Sequence, residues 1–95
     1  MADEIQQEVR QLLNRLFVQD DVVHYFAVMN PEDDDGNPAP IPAGLMTTEQ
    51  QKAHKKFKAA VAALLLEVDF WDRDEAFKEA FTRMLDQRIT QRMKR

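Results

Sequence analysis

The chain contains no cysteine and no serine. Without thiols there is no disulfide framework, no thiolate zinc site and no thiol nucleophile, and without serine the other common nucleophile is gone as well. Only two glycines occur, Gly36 and Gly44, so a glycine-rich phosphate cradle cannot be built. The longest uninterrupted apolar run, Ala59 to Leu66, is eight residues, far short of the roughly 20 that span a bilayer. Paired-carboxylate chemistry stays open in principle, because seventeen acids always offer some pair, yet nothing singles one out. The expectation is therefore a non-enzymatic protein with no cofactor, no metal and no membrane partner. The amino terminus, MADEIQQEVR, carries acids where a secretion signal needs a basic start followed by an apolar stretch. Cytoplasm is the expected compartment.

What the chain does have is helical periodicity. Its 95 residues suit one domain, 1–95, that buries only about 60 to 65% of its unfolded surface. So thin a margin favours an oligomer. Ile5, Val9, Leu12, Leu13, Leu16 and Phe17 recur at steps of three and four, with Asp3 and Glu4 where acids suit the helix dipole. The spacing predicts a helix over about 3–18. A shorter helix over 21–29 follows, capped by Asp20 or Asp21 and ended by Asn30-Pro31. The run VVHYFAVM is also rich in β-branched and aromatic residues, so a strand competes. A helix is favoured because no other segment offers a convincing strand partner.

Residues 30–47 read as an acidic Pro/Gly linker, with PAPIP leaning to polyproline II. Both Thr47/Gln50 and Thr48/Gln51 have the capping-box spacing, and a helix is predicted over 48–70. Its segment FKAAVAALLLEV, Phe57 to Val68, looks like the element around which the chain is organised. At about 100° per residue, Phe57, Ala60, Val61, Leu64, Leu65 and Val68 share one side, and Ala59, Ala62, Ala63 and Leu66 share the other. A second apolar face implies that another helix approaches it, from this chain or from a second copy. Asp69, Asp72 and Asp74 then interrupt the helix, with Asp72/Glu75 near capping-box spacing, and a last helix is predicted over 74–93. Its stripe is Phe77, Ala80, Phe81, Met84 and Leu85. Arg88 falls inside that stripe and is expected to snorkel, its stem packed and its head in water. The predicted fold is all-α, a compact bundle of three to four helices.

Charge is unevenly spread. Met1 to Met46 holds nine acids and two bases, a net −7, whereas Thr47 to Arg95 holds eight acids and eleven bases, a net +3. Lys52, Lys55, Lys56 and Lys58 crowd the start of the central helix, where the dipole repels cations by on the order of 0.3 kcal/mol each or more. Something negative should compensate. The chain's own Glu32, Asp33, Asp34 and Asp35, an acidic partner protein and nucleic-acid phosphates are the three candidates.

The turn PEDDDGN resembles a calcium loop, but EF-hand spacing puts Pro31 at the first ligand position and Pro42 at the twelfth, so it fails as one. Asp21 and His24 match the carboxylate-x-x-His element of di-iron bundles, and no second such element exists to complete a site within one chain. Phe70 and Trp71 stand at the predicted bend, as a bundle plug or as an interface anchor. The segment DDDGNPAPIP resembles acidic Gly-Pro turns of small helical tail-assembly proteins of bacteriophages. That resemblance covers about ten residues and implies a tail-assembly-type factor or a phage-type inhibitor. An acidic half could in addition imitate nucleic-acid phosphates to block a basic cleft.

The sequence thus leads to a small acidic protein that works by contact, as an adaptor, inhibitor or assembly factor. It is expected to form a homodimer through Ala59, Ala62, Ala63 and Leu66, with Phe70 and Trp71 at the interface. The alternative is a nucleic-acid-binding module using Lys52 to Lys58 and the basic residues from Arg88 to Arg95.

Overall fold

In a computed structural model, residues 2–30 and 46–93 are described. The first helix, α1 (Ala2–Leu16), carries Asp3 and Glu4 in its first turn and Arg15 in its last, so its charges oppose its dipole. Val9, Leu12, Leu13 and Leu16 form its buried line. It stops two residues before the predicted end. Phe17 still closes the last turn through a 2.9 Å bond from its N–H to the Leu13 carbonyl, and Val18 then turns outward. The turn is fixed by packing, because the Phe17 ring stacks on Phe26 with centroids 5.7 Å apart.

The segment that competed as a strand is a helix, α2 (Asp20–Met29). Val22, Tyr25 and Phe26 are its buried residues, at helical spacing. Neither aspartate caps it. The cap position is Gln19, which makes no side-chain cap bond, and Asp20 and Asp21 lie in the first turn, where they act on the dipole instead. At the far end the Asn30 side chain donates to the Phe26 carbonyl at 2.8 Å and to the Arg92 carbonyl at 2.9 Å. Most of the predicted acidic linker, residues 31–45, lies outside the described residues.

Helix α3 (Thr48–Glu67) begins where predicted, and of the two possible boxes Thr47/Gln50 is the one formed. Gln50 N–H donates to the Thr47 hydroxyl and Thr47 N–H to the Gln50 Oε1, both at 3.0 Å. The same side chain donates from Nε2 to the Val28 carbonyl, so buried Gln50 has both ends satisfied and ties α3 to α2. α3 stops three residues before its predicted end. Asp69 adopts the left-handed conformation at φ 52°, a 3-10 turn spans Phe70–Asp72, and α4 (Glu75–Arg92) follows. Its cap is Asp74, which accepts from Phe77 N–H at 2.9 Å, and not Asp72.

The observed class is the predicted one, a bundle of α-helices with no strand among the described residues. Its centre is elsewhere than predicted. The largest fully buried side chains are Phe77, Phe81, Leu13, Leu16, Val9 and Val22, from α4, α1 and α2, whereas the run Phe57 to Val68 buries only Phe57 and Leu64. Alanines bring little area to a core, and burial of a Phe or Leu stabilises by about 1.5 to 3 kcal/mol. The core forms where the large side chains are.

Helices α1 and α4 run side by side in the same direction. Arg73, just before α4, donates to Glu8 at 2.7 Å, and Arg88 near its end donates to Asn14 Oδ1 at 2.8 Å. Arg88 also lies 5.9 Å from the Phe17 ring and has no carboxylate partner among the described residues, as a snorkelling arginine should. Helix α2 packs along α3. No helix among the described residues is long and apolar enough to cross a membrane.

Candidate functional site

The outward side of α3 follows from its sequence and from the position of its neighbours. Ala53, Phe57 and Leu64 are buried, Ala60, Val61, Leu65 and Val68 are half-buried, and all of these lie on one side of the helix. The opposite side is the second apolar face. Ala59, Ala62, Ala63 and Leu66 are all exposed, with Leu66 71% accessible. No helix among the described residues covers this face.

The aromatic pair at the bend divides between its two expected roles. Phe70 is half-buried, its ring 5.5 Å from Phe81 and 6.4 Å from Phe77, so it plugs the end of the core. Trp71 meets Phe70 edge-on at 5.6 Å and stays 64% exposed. Only Trp71 is left exposed. Beside it, Arg73 lies over the Phe77 ring at 3.8 Å while it holds Glu8, which fixes the turn against α1.

At the other end of α3, Lys52, Lys55, Lys56 and Lys58 are exposed, and none has an ion pair among the described residues. Lys52 and Lys56 line an open cleft of about 390 Å³ between α2 and α3, with His24, Thr48, Glu49 and Ala53. His24 Nε2 stands 3.8 Å from Glu49. Lys55 and Lys58 point away from it. Glu32, Asp33, Asp34 and Asp35, the acids proposed to neutralise these lysines, lie outside the described residues. His24 faces Glu49 and not a ligand set with Asp21, and no group of three potential metal ligands exists among the described residues.

Sequence reasoning gave the acids after α3 as helix breakers and as the polar surroundings of Phe70 and Trp71. The structure gives them a position. Asp69 and Asp72 are exposed and have no ion pair among the described residues, and Glu67, half-exposed, is held by Arg15 at 2.9 Å. Together they make the end of α3 acidic, opposite in sign to its start. The signal was present in the sequence as lysines before Ala59 and acids after Leu66 on one element. It becomes a surface only once the helix is shown to be uncovered.

The one titration displaced among the described residues belongs to Tyr25, whose phenol is raised above its ordinary value of 10.0 by burial. It packs between α2 and α3, on Phe26 and Phe57. No protein-family model, no curated protein and no solved structure matches the chain.

Proposed function

We propose that this protein acts by contact, as a non-enzymatic adaptor, inhibitor or assembly factor, and that it does so as a homodimer joined through α3. The observation that carries this reading is the exposed apolar face of Ala59, Ala62, Ala63 and Leu66, which no other described residue covers, extended by exposed Trp71. Small side chains let a second helix approach to an interaxial distance of about 8 Å, and a tryptophan beside them supplies the large apolar contact that interfaces concentrate. Light scattering tests it. The wild-type chain should have twice the mass of one chain, and Ala62→Glu should halve that mass while leaving the helical signal unchanged, because Ala62 touches nothing in its own core. A single-chain mass at every concentration for the wild type removes the homodimer.

A second reading, nucleic-acid binding, is favoured by a separate observation. The end of α2 receives both the start of α3, through Gln50 to Val28, and the end of α4, through Asn30 to Arg92. Lys52, one turn after the start of α3, and Arg92, at the end of α4, therefore lie toward one end of the bundle. Binding of that kind weakens steeply with salt, since each phosphate contact releases a counterion. A retardation assay at low salt checks it, and absence of any shift with DNA or RNA excludes it.

A further inference from the structure

We propose that two copies pair antiparallel along α3, crossing near Ala62 and Ala63, so that the lysine end of each helix meets the acidic end of the other. This rests on the homodimer reading and adds the orientation of the partner.

Three observations point to a second copy in this direction. Lys52, Lys55, Ala59, Ala62 and Leu66 follow one another at steps of three and four, so a single exposed stripe begins basic and becomes apolar. It then runs into the exposed acids Asp69 and Asp72. A surface with positive, apolar and negative zones in a line is its own complement under a two-fold axis through the middle, and parallel pairing would set like charges against each other.

The second observation is the uncompensated start of α3. Its four lysines have no carboxylate partner among the described residues, and Lys52 also stands near the positive end of the helix dipole. In the antiparallel pair each lysine end lies beside the negative dipole end of the other copy's α3. Charges without a partner among the described residues gain one in the pair.

The third is register. With the crossing between Ala62 and Ala63, Ala59 lies opposite Leu66 of the second copy, and Lys56 and Lys58 come level with its Glu67 and Asp69. The small residues thus coincide with the point of closest approach, and the charges fall at the rim, where they direct orientation more than they add affinity.

Because the chain has no cysteine, introduced thiols report this geometry alone. Ala59→Cys and Leu66→Cys, each at an exposed site, are prepared separately, then mixed and oxidised. The expected result is a disulfide-linked pair in the mixture and none in either variant by itself, since a disulfide needs Cα atoms within about 7 Å. Disulfide formation by each variant with itself means parallel pairing and overturns the proposal. A dimer that forms no disulfide in any combination uses another face, and this also overturns it while leaving the homodimer standing. A wild-type chain that is monomeric at every concentration removes both readings together.

A second measurement isolates the charges. Lys56→Glu combined with Lys58→Glu should raise the dimer dissociation constant at low salt by about tenfold or more, as the weak lysine-to-acid rim contacts of both copies turn repulsive. The effect should shrink at high salt. An unchanged constant means that the lysines are neutralised elsewhere, by Glu32 to Asp35 for instance, and overturns the lysine-to-acid pairing.

Discussion

Tyr25 lies flat on Phe57, with ring centroids 4.4 Å apart and planes 12° from parallel, and this stack joins α2 to α3. Phe26 meets Phe57 edge-on at 5.7 Å, so one ring of α3 is gripped by two of α2. The pair of helices flanking residues 31–45 is therefore held by aromatic packing. Phe57→Ala should destabilise the fold by about 3 kcal/mol or more, which for a domain of this size lowers the midpoint of thermal unfolding by on the order of 12 °C or more. Calorimetry checks it.

The same stack gives a pH dependence with a definite sign. Burial raises the Tyr25 phenol above its ordinary value, so the folded state keeps a proton that the unfolded chain has begun to release. The stability it confers is complete below about pH 10 and is lost as pH rises toward the folded-state value. Tyr25→Phe should keep the stack and remove this alkaline loss. Denaturant melts at several alkaline pH values, compared between the two proteins, decide the matter.

Thr47 and Gln50 do more than start a helix. Thr47→Ala removes one acceptor from the first turn and should cost about 1 kcal/mol. Gln50→Ala should cost more, because it breaks the box and also leaves the Val28 carbonyl without its donor. The order of the two midpoints in urea is the test, and equal values would mean that the link to α2 contributes nothing.

Asp69 is the one non-glycine residue of the described chain with positive φ, 52°. Asp69→Gly relieves that conformation at the end of α3 and should leave stability unchanged or raise it by up to about 1 kcal/mol. Asp69→Val, β-branched at the same angles, should lower it by more than 1 kcal/mol. Paired unfolding curves separate these outcomes.

Arg73 holds the 3-10 turn by three contacts at once, to Glu8, to the Val68 carbonyl and over the Phe77 ring. Arg73→Lys keeps the charge and loses the flat stacking surface. It should therefore recover less than half of the stability lost in Arg73→Ala, with hydrogen exchange in Phe70–Asp72 faster in both.

Much of the secondary structure was legible in the sequence, because its causes are local. Apolar steps of three and four marked α1 and α4, two threonine boxes one residue apart bracketed the start of α3, and the missing strand partner favoured a helix for α2. Helix ends were read less well. Phe17 leaves α1 for a ring on α2, and Asp69 takes a left-handed conformation that aspartate tolerates but does not require. Such ends are decided by contacts between residues distant in sequence.

The candidate surface divides in the same way. The sequence by itself determined that α3 has two apolar sides, a basic start and acids after its end, since these follow from residue order and a fixed helical period. Only the tertiary structure decided which side is covered. The large side chains of α1 and α4 pack against each other, and α3 contributes Phe57 and Leu64 to that core while its alanine side faces outward. Burial is a competition for volume among all elements at once, so the order of residues along one helix does not determine its outcome.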